Sequence, residues 1–166
     1  MFNLIKRQSP GRIIALGFAL VILIGSFLLM LPCSVQDGVT VRYIDALYTS
    51  TSAVCVTGLI AIDAGDTFTP LGQFFLGMLI QIGGLGVTSV GAGVILLIGK
   101  KINLKGRSLI REASNLDSGK GIVRFLKSVL FTTFLFELMG AILSFLVFVQ
   151  DYPVWDAIGI SLFHSV

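Results

Sequence analysis

The chain has 166 residues, of which 55% are hydrophobic and 13% charged, against about 25% charged in soluble domains. A chain this apolar cannot cover its own surface with polar groups, which excludes a disordered protein and a collagen-like fibre. Cys33 and Cys55 are too few for a disulfide scaffold, so lipid is the expected solvent, and the formal net charge of +3 matters less than where the charges fall.

Residues 13–31 form a first apolar run with no charge inside it. About 20 residues rising ~1.5 Å each cross the ~30 Å hydrocarbon core of a bilayer. Lys6, Arg7 and Arg12 precede the run, as in the n-region of a signal peptide. The run is longer than an h-region of about 7–15 residues, and no small-x-small cleavage site follows it. Pro32 is expected to end the helix. A second run, 71–99, is rich in glycine, with Gly72, Gly77, Gly83, Gly84, Gly86, Gly91 and Gly93. Gly83-Gly84-Leu85-Gly86 does not match the dinucleotide-binding G-x-G-x-x-G. Close packing of helices through small residues is the expected role. A third run, 128–149, is interrupted only by Glu137. The expectation is an all-α membrane protein with three spanning helices.

The basic residues orient these spans. Lys6, Arg7 and Arg12 precede the first; Lys100, Lys101, Lys105, Arg107, Arg111, Lys120, Arg124 and Lys127 lie between the second and third runs, against Glu112 and Asp117. Both segments are expected in the cytoplasm. Residues 32–70 carry Asp37, Asp45, Asp63 and Asp66 against Arg42, and Asp151 and Asp156 follow the third run. These segments are expected outside, where they would present a negative vestibule to an approaching cation. Ordinary topology bias produces the same asymmetry. The basic stretch 100–127 suits either that bias or a docking role toward anionic lipid or a cytoplasmic partner.

Residues 32–70 carry the functional signal. A short helix is expected over 44–54, with Asp45 in its first turn, where the helix dipole favours an acid. At ~1.5 Å per residue it spans only about 16 Å, too short to cross. It is also too apolar for a simple external loop. A re-entrant hairpin fits, with the chain returning extended through residues 54–59. Irregular backbone at membrane depth is tolerated where protein or water surrounds it. Its carbonyls can then replace the hydration shell of a cation. Gly58 would permit a backbone angle closed to other residues, while Val54 and Val56 would pack outward. The alternative is a buried strand in an external loop.

The string Ala46-Leu47-Tyr48-Thr49-Ser50-Thr51-Ser52-Ala53-Val54-Cys55-Val56-Thr57-Gly58-Leu59 resembles the first pore loop of the Ktr/Trk/HKT superfamily of potassium transport proteins. The bacterial Ktr-type membrane subunit of the TrkH family is the nearest likeness. Gln81-Ile82-Gly83-Gly84-Leu85-Gly86 resembles that family's glycine-rich second helix, and Phe163-His164-Ser165-Val166 resembles the start of its second pore helix. The resemblance implies potassium uptake through four tandem helix–pore loop–helix repeats. It implies a selectivity filter whose backbone carbonyls bind potassium at Val54, Cys55, Val56, Thr57 and Gly58. Potassium is the substrate, with sodium as a coupling or activating ion, and no covalent cofactor is implied. The implied partners are the lipid bilayer, a second copy in a homodimer of the full-length protein, and a cytoplasmic nucleotide-binding regulatory ring, with no nucleic acid. The implied place is the cell membrane, crossed several times, with the N-terminus in the cytoplasm.

A second copy of the unit begins late in the chain. Tyr43-Ile44-Asp45-Ala46-Leu47 and Tyr48-Thr49-Ser50 correspond to Val154-Trp155-Asp156-Ala157-Ile158 and Phe163-His164-Ser165, with about one helical turn inserted between the two matches. The expected division is a first repeat over 1–99, a basic connector over 100–121, and the first helix and partial pore helix of a second repeat over 122–166. A second filter is expected beyond Val166, so the chain reads as the N-terminal portion of a longer protein. One filter strand cannot surround an ion, and the 166 residues alone are not expected to conduct. Two rivals stand beside this reading. One is a non-conducting fragment that assembles with a full-length subunit. The other is a membrane enzyme using a Ser, His164 and an Asp, whose residues have no motif around them. Glu137 is read as a hydrogen-bonded acid holding helices together, or else as a group that pairs with a base or attracts a cation. His164, with no metal-ligand neighbour in sequence, is read as a hydrogen-bonded pore-helix residue.

Overall fold

The structure, a computed structural model, describes residues 10–87, 89–90, 104–113 and 121–166. Lys6, Arg7, Gly91, Gly93, Lys100, Lys101, Asp117 and Lys120 lie outside the described residues. Among the described residues every regular element is a helix, and the strand-like pairing is one isolated antiparallel bridge, Val35 with Phe68. In chain order the helices are α1 (Pro10–Leu29), α2 (Tyr43–Val54), α3 (Ala64–Thr67), α4 (Pro70–Leu85), α5 (Leu104–Ala113), α6 (Ile122–Phe148) and α7 (Val154–Ser165).

α1 has 20 residues and α6 has 27, and both are long and apolar enough to cross a bilayer. Burial separates them from the core helices of a soluble protein. Only 17% of the apolar window of α1 and 6% of that of α6 is covered by protein. α1 stops at Leu29, earlier than the expected Leu31, because Pro32 disfavours helical geometry at the residue before it. Ser34 Oγ then donates to Leu28 O at 2.8 Å, satisfying a carbonyl of the last turn.

The second apolar run departs from expectation. Helix α4 begins where Thr69 caps it, its hydroxyl accepting from Gly72 N, with Pro70 in the first turn. It ends after 16 residues at Gly86, which takes φ 80. That left-handed angle interrupts a helix and is open to glycine. Residues 87, 89 and 90 are helical again, so the expected continuous span over 71–99 is broken at Gly86. The expected basic connector over 100–121 is described from 104 to 113 and at 121. It carries a helix, α5, whose buried Ile110 packs with Ile122 and Leu126 of α6 in a small second core.

The main core lies where α1, α2 and α4 meet. Leu29, Ala46, Ala53, Val54, Phe68, Leu76 and Leu79 are buried there. α6 packs chiefly on α7, and α7 touches α4. Gln81 Nε2 of α4 donates to Glu137 Oε1 of α6. The mid-helix acid therefore ties the two helix groups together, as a carboxyl with a protein partner is expected to do inside a membrane. α7 repeats features of α2. Each has 12 residues, Asp45 and Asp156 lie in the first turns, and Ala46 and Ala157 beside them are fully buried.

The approach of α4 to α2 depends on a missing side chain. A Cβ at Gly83 would overlap the carbonyl oxygen of Val54 and crowd that of Ala53, whereas nothing lies within 4 Å of a Cβ at Gly84. Gly83→Ala is expected to destabilise the full-length protein by about 1–3 kcal/mol, the cost of overpacking. Gly84→Ala should be neutral or stabilising by up to ~1 kcal/mol, because Ala is the better helix former. Thermal unfolding in detergent of the two variants beside the parent checks the contrast; equal midpoints would remove the close contact from the account.

Candidate functional site

The segment from Pro32 to Pro70 leaves one end of α1 and comes back to the same end. Gln36 N donates to Thr67 O at 2.9 Å and Thr69 N to Ser34 O at 3.0 Å, so both limbs of the segment are joined there. Gln36 Nε2 adds a bond to Gly65 O, and Thr69 Oγ1 one to Cys33 O. Between these anchors the chain travels along α1 and α4. The ring of Tyr43 lies 5.9 Å from that of Phe27, near the end of α1. About two turns further down α2, Ser50 Oγ donates to Ile22 O at 2.8 Å. The last turn of α2 rests on Gly83, about 20 Å along α4 from Pro70 at ~1.5 Å per residue.

Asp45 sits at the start of α2, where Arg42 Nε reaches its Oδ2 at 2.8 Å and Arg42 Nη2 its Oδ1 at 3.0 Å. The guanidinium hydrogen bond holds the Asp45 carboxyl below the usual carboxylate range. The acid therefore stays ionised in the first turn of α2, where the helix dipole favours a negative charge. As an exposed pair it contributes little to stability. Asp37, Asp63 and Asp66 are also exposed in this segment, and Asp63 caps α3 by accepting from Gly65 N and Asp66 N.

α2 ends in a Schellman turn. Val56 N donates to Ala53 O at 3.2 Å and Thr57 N to Ser52 O at 3.0 Å. The motif requires a left-handed residue at the position of Val56, and Val56 takes φ 53. Glycine normally fills that place, since a β-branched side chain is strained there. Gly58 follows at φ 70. Among the described residues the carbonyls of Cys55, Val56, Thr57 and Gly58 accept no hydrogen bond. They lie on an exposed turn beside a cleft of about 330 Å3, lined in part by Ser52, Thr57, Leu59, Leu76 and Ile80.

The residues expected to form a filter are thus adjacent but not uniform. Val54 is the last residue of α2 and wholly buried, with its carbonyl against Gly83. Cys55 and Val56 form the turn, and the irregular return path covers 57–60. The expected extended run therefore begins after the turn, not at Val54. The reason is the Schellman bonding, which holds the chain in a helical exit through Val56. Val56 is also 57% exposed rather than packed outward against protein. Sequence reading missed Ser52, which bonds to Thr57 and Leu59. Its only signal was a hydroxyl residue two positions before the expected strand. His164 meets the edge of Phe148, ring centroids 5.7 Å apart. Among the described residues no three His, Cys, Asp or Glu side chains cluster as a metal site.

Comparison with known proteins adds a family. A TrkH family model, described as a cation transport protein, matches residues 11–163. The chain is 39% identical to Ktr system potassium uptake protein B of Bacillus subtilis over 160 residues, 96% of this chain and 36% of that protein. It is 37% identical to potassium/sodium uptake protein NtpJ of Enterococcus hirae over 161 residues, 97% of this chain and 36% of that protein. Ktr system potassium uptake protein D of Bacillus subtilis is 38% identical over 154 residues, 93% of this chain and 34% of that protein. The chain spans about a third of the length of these relatives.

Strain at Val56 has a measurable consequence. A left-handed L-residue costs about 1–2 kcal/mol, offset in part by the ~0.5–1 kcal/mol of extra unfolded-chain freedom that glycine brings. Val56→Gly is expected to raise the thermal midpoint of the full-length protein in detergent, while Val54→Gly, in the buried last turn, lowers it. A Val56→Gly variant with a lowered midpoint would mean that the turn carries no strain.

Proposed function

Because the chain belongs to the TrkH family of cation transport proteins, we propose that it is the N-terminal part of a pore-forming subunit that takes up potassium across the cell membrane. α1, the hairpin of α2 and α3, and α4 form a first helix–re-entrant pore loop–helix repeat within residues 1–99. Residues 100–121 are a cytoplasmic connector. α6 and α7, within 122–166, are the first helix and pore helix of a second repeat. The turn at Val54, Cys55, Val56, Thr57 and Gly58 supplies one strand of a carbonyl selectivity filter.

One observation carries this reading. The carbonyls of Cys55, Val56, Thr57 and Gly58 accept no hydrogen bond among the described residues, at a point well down α4 from the outer anchors. Unpaired carbonyls in a hydrocarbon setting cost several kcal/mol each. A dehydrated cation on the axis satisfies them, and they in turn replace its water. Gly58 leaves the row without a side chain at a left-handed residue. Potassium is substrate here, bound and released, with sodium as a coupling or activating ion. The acidic segment around Asp37, Asp45, Asp63 and Asp66 faces outside and concentrates cations at the mouth. The N-terminus and the basic connector lie in the cytoplasm, where a nucleotide-binding regulatory ring docks, and the full-length protein works as a homodimer in the bilayer. A single strand cannot enclose an ion, so the remaining strands come from further repeats.

Gly58→Ser in the full-length protein tests the assignment. The added Cβ meets no atom within 4 Å, so the fold should survive, but at φ 70 the residue resists its angle. Potassium uptake is expected to weaken, or its discrimination against sodium to fall. Rubidium and sodium uptake with unchanged affinities would remove Gly58 from the filter.

A further inference from the structure

Ser52 makes a bracket around the turn. Its backbone oxygen accepts from Thr57 N at 3.0 Å. Its hydroxyl oxygen accepts from Thr57 Oγ1 at 3.1 Å and donates to Leu59 O at 2.7 Å. One side chain, 9% exposed, thus fixes the residues on both sides of Gly58. The hydroxyl has a single proton, and Leu59 takes it. The Leu59 carbonyl is therefore turned toward α2 and engaged, whereas the Cys55, Val56, Thr57 and Gly58 carbonyls accept nothing among the described residues.

We propose that Ser52 is the positioning residue of the filter: it aims the Gly58 carbonyl by holding Thr57 and Leu59, and it ends the ion-facing row at Gly58 by occupying the Leu59 carbonyl. This rests on the filter reading of residues 54–58. Ser52 touches no ion. Its effect is on where neighbouring carbonyls point, so it acts on discrimination more than on folding. Gly58 has no side chain to pack and open space around it. Without the bracket its peptide planes are free to rotate, and carbonyls that rotate no longer present a fixed cage to one ion size.

The test compares two serines on the same helix in the full-length protein. Ser50 is also buried and also donates to a backbone carbonyl, but to Ile22 of α1, away from the turn. Ser52→Ala loses two hydroxyl hydrogen bonds and Ser50→Ala one, so both should lower the thermal midpoint, Ser52→Ala by as much or more. In competition between rubidium and sodium uptake, Ser52→Ala is expected to lose selectivity by about five- to ten-fold, the equivalent of one hydrogen bond, while Ser50→Ala keeps parental selectivity. Equal selectivity in both variants, or equal loss in both, would overturn the positioning role. Measured beside Gly58→Ser, the result separates two failures. If Gly58→Ser loses discrimination and Ser52→Ala does not, the bracket alone is wrong. If neither changes discrimination, the filter reading is wrong.

Discussion

Backbone carbonyls must find a partner inside a membrane, and the turn after α2 leaves a run of them with no hydrogen bond from the described residues. A helix satisfies its own carbonyls; a Schellman turn satisfies those of its last turn and then releases the chain. Here the release occurs at Val56, and Cys55, Val56, Thr57 and Gly58 accept no hydrogen bond among the described residues. In hydrocarbon such groups would cost several kcal/mol each. A site that remains folded with them needs water or a cation beside them. In the proposed reading, the other described helices are the scaffold that carries those carbonyls to depth.

That scaffold is built from close approaches. Ser50 bonds α2 to the middle of α1 through Ile22 O, and Gly83 lets α4 lie directly on the carbonyl end of α2. At the other end Asp63, Thr69 and Ser34 cap or join the limbs of the hairpin. The loop is therefore pinned at its mouth and at its foot. Between α4 and α6, the bond from Gln81 to Glu137 links the first helix group to the second. A charged or strongly polar side chain in a 27-residue apolar helix finds its use in that link.

The sequence revealed the α2 helix almost to the residue, because its length, small residues and Asp45 at the start are local signals. It revealed α1 and α6 through their long apolar runs, and the left-handed angle at Gly58 through the residue type that tolerates it. The break of the second apolar run at Gly86 was not legible. Gly72, Gly77, Gly83, Gly84 and Gly86 look alike in the chain, and tertiary contact decides which one packs and which one turns. The exit of α2 was misjudged for a similar reason. Val54 and Val56 favour extended structure by propensity, yet the bonds from Val56 to Ala53 and from Thr57 to Ser52 hold the chain in a helical turn. Ser52 was one hydroxyl among several, and only the fold brings it to Leu59. The buried contact of Ile110 with Ile122 and Leu126 was hidden under the basic charge of its segment.

The central claim is that a potassium-sized cation is stripped of water by the carbonyls of this turn. The most direct measurement is the anomalous scattering of rubidium in crystals of the full-length protein, located against the chain. The account predicts rubidium density on an axis bounded by the Cys55, Val56, Thr57 and Gly58 carbonyls, lost when sodium replaces rubidium. Rubidium ordered elsewhere in the membrane region, with these carbonyls turned into protein hydrogen bonds, would contradict it.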